Sequence, residues 1–223
     1  MKKSILVILG AIAITIVLGG VLLFIGNSAT SSNGIVTVDL NGTWYVYQYG
    51  SDIVENEIMV FSDGNVFDYR DDSDSPAITS TYTYTSDGIL NMHDVSREFT
   101  VRIVSENNII LIEPNTIEWK LVRIADPEQK IEEVTNDKLQ GQYIVKMVAG
   151  EVRTNEEMIF TENQLTDVRD GEEYISCSYE MRSGHLLYAI ELSKEYTVFI
   201  NGTTAMMIDK AANYVWELVL KTN

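Results

Sequence analysis

"REFTVRI" (Arg97–Ile103) and "KEYTVFI" (Lys194–Ile200) are one strand written twice, 97 positions apart. The match runs well beyond these seven residues. "LNGTWYV" (Leu40–Val46) returns as "LQGQYIV" (Leu139–Val145), and "MVF" (Met59–Phe61) as "MIF" (Met158–Phe160), both at an offset of 99. "DYRD" (Asp68–Asp71) returns as "DVRD" (Asp167–Asp170) at the same offset. Ile78, Ser80, Tyr82 and Tyr84 align at 97 with Ile175, Cys177, Tyr179 and Met181, as does Trp119 with Trp216. The offset changes between "RDDSDSPAI" and "RDGEEYI", polar stretches that read as turns. A turn tolerates a length change that a paired strand would not. The chain is a tandem duplication.

Each copy reads as all-β. Apolar and polar residues alternate in "TIEWKLV" and "AITSTYTYT", the period of a half-buried strand. The first copy yields eight predicted strands near Thr43–Tyr49, Ile58–Phe61, Val66–Tyr69, Ile78–Thr85, Ile89–Met92, Glu98–Val104, Ile109–Ile112 and Ile117–Arg123. "SDGN", "TSDG" and "SENN" supply the turns. Asp63-Gly64 suits a tight hairpin with positive φ, and Asn163 is expected to serve at the matching position of the second copy. Short strands joined by consecutive hairpins favour a small up-and-down antiparallel barrel in each copy. Between the copies, "ADPEQKIEEVTNDK" reads as a short helix with Asp126 as its cap and Pro127 in its first turn.

The N-terminus carries a different signal. Ser4 to Gly26 contains no charge, and Ile5–Ile25 would span about 32 Å as a helix, enough for a bilayer core. A cleaved signal peptide is the competing reading, but its apolar core is usually shorter, and "GNSATSS" is a poor cleavage site. Lys2 and Lys3 precede the span and the next basic residue is Arg70, which places the N-terminus inside and the rest outside the cell membrane. The expected organisation is an anchor at 1–27, a tether at 28–37, barrels at 38–124 and 139–223, and a linker at 125–138.

Each copy resembles the small lipocalin-like domains, calycin-type barrels, of prokaryotic envelope and secreted proteins. The likeness rests on "GTW" (Gly42, Trp44) opening the first strand and on Arg123 after the last. It implies that Arg123 packs over Trp44 and closes one barrel end. The second copy departs from this pattern, with "GQY" (Gly141, Tyr143) and Leu220 opposite Arg123. Trp119 and Trp216 complete the expected closure set. Strands near five residues make barrels that their own side chains fill, with Trp44, Met59, Phe61, Tyr82, Leu90, Phe99, Leu111 and Trp119 inward in the first copy. Domains so small bury little surface, so the copies are expected to pack on one another.

Chemistry-bearing residues are sparse. A formal net charge of −17 argues against nucleic acid as a partner. Cys177 alternates in phase with Ile175 and Tyr179 and reads as a buried, inert thiol. His93 and His185 are not repeat equivalents and read as exposed loop residues without metal-ligand spacing. The acidic turns (Asp71, Asp72, Asp74; Asp170, Glu172, Glu173) lack the pattern of a calcium loop and read as solvated hairpin tips. Asp68 with Arg70, and Asp167 with Arg169, read as charge pairs on an outward strand face. Asn41 and Asn201 fit the glycosylation sequon. No nucleophile–base set or phosphate loop is present, so the expectation is a non-enzyme with no cofactor and no metal. Two functions follow: a membrane-anchored extracytoplasmic module acting on an envelope protein or glycan, or a carrier or sensor of a small apolar ligand in a barrel mouth or between the copies.

The anchor reading has a direct check. Intact-mass measurement of membrane-extracted protein is expected to retain residues 1–28, apart from the initiator methionine; a chain beginning near Thr30 would show cleavage.

Overall fold

The computed structural model describes residues 38–222. The expected anchor and tether lie outside the described residues, among which no helix is long and apolar enough to cross a membrane. Eight antiparallel strands form the first barrel: β1 (Gly42–Tyr49), β2 (Asp52–Ser62), β3 (Asn65–Tyr69), β4 (Ile78–Tyr84), β5 (Ile89–Met92), β6 (Arg97–Ser105), β7 (Asn108–Ile112) and β8 (Glu118–Ala125). They pair in chain order, and β8 returns to pair with β1. The second barrel uses β9 (Gly141–Val148), β11 (Glu156–Phe160), β12 (Gln164–Arg169), β13 (Glu172–Ser183), β14 (Leu186–Ala189), β15 (Lys194–Asn201), β16 (Thr204–Asp209) and β17 (Tyr214–Leu220). It closes through β9 and β17, while the two-residue β10 (Glu151–Val152) hangs on the edge of β9.

Local chemistry explains the hairpins. Asp63 and Gly64 both take positive φ, 49° and 78°, as a two-residue turn matched to strand twist requires. The second copy solves the same turn differently. Asn163 is not among the positive-φ residues, and Thr161 N–H donates to Gln164 O at 2.9 Å across a turn of another shape. The linker also differs from expectation. Asp126 and Pro127 begin a turn, with Gln129 N–H bonded to Asp126 O, and the only α-helix among the described residues is α1, Asn136–Leu139. Thr135 caps it, its hydroxyl accepting from Lys138 N–H. Val134 and Leu139 on this segment are buried in the core of the second barrel, so apolar burial rather than helix propensity sets its path.

Each interior is filled. Trp44, Phe61, Phe99 and Leu111 pack inside the first barrel, and Phe160, Tyr179, Leu187 and Met207 inside the second. A third core lies outside both. Tyr45 and Tyr47 on β1 and Val122 and Ile124 on β8 pack against Phe199, Met206, Ile208 and Val215 of the second barrel. The Tyr45 and Phe199 rings are 4.9 Å apart. At the rim, Glu217 accepts from Ser105 Oγ at 2.8 Å and from Asn107 Nδ2 at 3.1 Å. β1 is consequently buried on both faces from Gly42 to Tyr47, and the duplicated strands diverge where they must. Phe199 enters this shared core, whereas Arg102 at its repeat position pairs with Glu118 at 2.8 Å.

A shared core makes the barrels one cooperative body. Phe199→Asp places an unpaired charge in it and is expected to split calorimetric unfolding into two transitions, where the wild type gives one. A single unshifted transition in the variant would show that the seam carries no coupling.

Candidate functional site

Three places gather functional side chains: the closed barrel ends, a charged cluster inside each barrel, and the seam between them. At the closed end of the first barrel, Arg123 sits across from Trp44 in the strand register, its guanidinium carbon 4.8 Å from the indole centroid. Arg123 also donates to Asp39 O, and Trp44 Nε1 donates to Leu40 O at 2.8 Å. Gly42 leaves room for this, since a Cβ there would lie 3.2 Å from Arg123 Nε and 3.3 Å from Ala125 O. The second barrel closes with carbon in place of charge. Leu220 pairs with Tyr143, and a Cβ on Gly141 would meet Leu220 Cδ1 at 2.6 Å. Tyr143 stacks edge-on against Phe160, 5.7 Å away. Trp119 lies at the far end of β1, edge-on to Tyr49 at 4.7 Å, with Arg97 5.5 Å from its ring. Trp216 is half-buried between Tyr196 and Tyr214.

The aspartates of the charge pairs on the third strand of each repeat are inward, which corrects the reading of the pairs as an outer face, while Arg70 and Arg169 reach to the surface. Asp68 is in phase with buried Val66, and Asp167 with buried Leu165. Arg70 donates to Asp68 Oδ2 through Nη2 at 2.6 Å and Nε at 3.1 Å, and Arg169 to Asp167 Oδ2 at 2.8 and 3.1 Å. A second carboxyl joins each pair: Glu57 lies 3.6 Å from Arg70 Nη2, and Glu156 3.7 Å from Arg169 Nη2. Sequence reasoning missed these two glutamates. The repeat carries them, because "NEIMVF" (Asn56–Phe61) returns as "NEEMIF" (Asn155–Phe160), and Asn56 and Asn155 share positive φ. Burial first, then the Asp68 charge, pushes Glu57 up to about 7, against the pull of Arg70 and Arg97. Burial raises Glu156 likewise, aided by Asp167 and opposed by Arg169 and Arg153.

The seam opens into a cleft of about 620 Å³, between Ile53 and Glu55 of β2 and Leu186, Tyr188, Thr197 and Lys210 of the second barrel. A neighbouring hollow of about 420 Å³ shares Glu55, Leu186, Thr197 and Lys210 and reaches Tyr45, His185 and Phe199. Asp209 on the wall of the larger cleft is buried and satisfied, accepting from Lys194 Nζ at 2.8 Å and Ala212 N–H at 2.9 Å. Lys210 is different. It has no carboxylate within ion-pair distance among the described residues, lies 5.2 Å from the Tyr45 ring, and is pulled below the usual lysine range by burial. His185 is half-buried rather than exposed, because its ring packs 4.5 Å from Phe199 and Nδ1 lies 3.1 Å from Val198 O. Burial holds its pKa below the usual histidine value.

The remaining candidates fall elsewhere. Cys177 is buried, and burial raises its thiol. His93 is exposed. Asp71 and Asp72 take positive φ at an exposed tip, where Asn56 Nδ2 donates to Asp72 Oδ2 at 2.9 Å, and the described residues hold no group of three metal-ligating side chains. Asn41 is exposed, its side-chain oxygen accepting from Asp63 N–H, and Asn201 is half-buried at the end of β15.

Fold and geometry define a class: an all-β protein of two closed eight-stranded antiparallel barrels sharing one wall, with a cleft along the seam. Comparison of the chain with protein-family models, with curated proteins and with solved structures finds no match.

The closures differ enough to test. Trp44→Ala is expected to destabilise by about 3–5 kcal/mol, as large aromatic truncations in cores do. Arg123→Ala should remove about 0.5–2 kcal/mol of cation–π contact. Tyr143→Ala, which loses a smaller ring and no cation contact, should cost less than Trp44→Ala. Denaturant midpoints of the full chain in detergent read all three.

Proposed function

We propose that this protein is a non-enzymatic binding module, held by a single-pass N-terminal anchor with its barrels on the extracytoplasmic side. In this reading it engages an envelope protein or glycan along the seam. The Trp44–Arg123 stacking supports a lipocalin-like ancestry, although the packed interiors argue against a ligand held deep in either barrel. The observation that carries the reading is the cleft. It is built only by the docking of two copies, and it combines exposed Ile53, half-buried Leu186 and Tyr188, and an unpaired Lys210. Apolar walls with one uncommitted cation suit an anionic group carried on an apolar or sugar surface.

A second reading has its own support. The cleft volume of about 620 Å³ falls in the range of small-molecule sites, so a small apolar ligand with an acidic end would fit between the copies. The two readings separate experimentally. A photo-crosslinking residue at Tyr188, in the full chain in intact cells, is expected to capture a discrete envelope partner, and Ile53→Arg should abolish the capture. Equal capture from an exposed position far from the seam would count against the cleft. Anilinonaphthalene sulfonate, an apolar anion, is expected to bind at one site per chain and to weaken about tenfold in Lys210→Ala if the small-ligand reading holds.

A further inference from the structure

We propose that each barrel binds one proton, shared between its two inward carboxyl groups, Glu57 with Asp68 and Glu156 with Asp167, beneath an arginine lid.

The strand register builds the site. Glu57 follows the inward phase of Met59 and Phe61, and Asp68 that of Val66. Across the sheet, Glu57 faces Val46 on β1 and Asp68 faces Ile78 on β4, so hydrocarbon flanks the pair on both sides. In the second barrel Glu156 lies opposite Arg169, and Asp167 opposite Ile175. Exposure is slight: the Asp68 side chain is 2% and the Glu156 side chain 7% accessible.

The hydrogen-bond inventory then leaves a gap. Arg70 takes Asp68 Oδ2, while Asp68 Oδ1 and Glu57 Oε1 are buried without a partner. Asp167 Oδ1 and Glu156 Oε1 are buried and unpartnered in the same way. Two carboxylates offer acceptors only, so neither can satisfy the other. One proton turns one of them into a donor. Net charge does not demand the proton, since a second guanidinium faces each pair; the unpartnered oxygens do. The other charges facing the pairs are Arg97 from β6 toward Glu57, and Arg153 toward Glu156 at 3.9 Å. Beyond Arg70 lies Asp71.

Duplication strengthens the case. The copies have exchanged their closing arginine for leucine and rebuilt a hairpin, yet both keep Glu, Asp and Arg, with arginine–carboxylate distances agreeing within 0.2 Å. Glu57 has its folded value raised to about 7, and Glu156 is raised too. Their contribution to stability is therefore complete below the ordinary glutamate value and lost as pH rises through the folded value. Each proton then passes to water, and each barrel gains one negative charge, which brings the chain to its formal −17, a count that takes both glutamates as ionised.

Infrared spectroscopy of the full chain in detergent tests this with side-chain-labelled glutamate. A protonated carboxyl band is expected to persist above the ordinary glutamate range, with its Glu57 part titrating near 7. It should be absent in the Glu57→Gln/Glu156→Gln double variant. Loss of the band below about pH 5 in the wild type would overturn the proposal. A second reading uses stability. The wild-type denaturant midpoint should fall between about pH 5 and about pH 8, and the double variant, whose amides donate permanently, should be flatter over that window. Parallel slopes would also overturn it. If the variant fails to fold, the wild-type band alone decides.

Discussion

The contact between Tyr45 and Phe199 stands at the centre of the shared core on which the rest of the structure depends. Barrels with strands this short bury proportionally little apolar surface alone. The outer faces of β1 and β8 remove Tyr45, Tyr47, Val122 and Ile124 from water only because β15, β16 and β17 cover them. Everything at the seam descends from this docking. It forms the cleft walls and sets Lys210 beside the Tyr45 ring.

Most of the barrel architecture was legible because two independent periods agreed. Alternation within strands marked inner and outer residues, and the repeat at 97 and 99 fixed which strands correspond. The predicted strands of the first copy match those observed to within a few residues, except β2, which begins at Asp52 rather than near Ile58. That early part, "DIVENE", looks like polar loop because most of its side chains are exposed; only Val54 and Glu57 turn inward. The linker was misread for the opposite reason. Its acidic, proline-led composition suits a helix, but Val134 is drawn into the second core and the chain follows it.

The inward acids were legible in principle and still missed. Parity places Asp68 with Val66, and Glu57 with Met59 and Phe61, on the buried face. Charge argued for the surface, and a two-residue spacing of opposite charges resembled an ordinary exposed pair. Parity should have prevailed, since a strand cannot turn one side chain outward without a bulge. The cleft was not legible at all. It combines residues of β2 with residues more than 130 positions later, and nothing local encodes how two barrels meet.

The two faces that meet at the seam are not alike. The surfaces that meet are different ones, β1 with β8 in one copy and β15 to β17 in the other, so the contact is heterologous and each barrel retains the unused half of the same joint. Such a joint propagates unless something ends it. On the first barrel, Phe199 and Val215 correspond to Arg102 and Glu118, which form an ion pair at 2.8 Å. On the second, Ile58 and Ile124 correspond to Glu157 and Lys221, paired at 3.0 Å. A third barrel offered to either end would have to strip water from a salt bridge, a cost that apolar contact around it does not recover. Two residues changed on each free face thus set an ion pair where the joined face has apolar side chains.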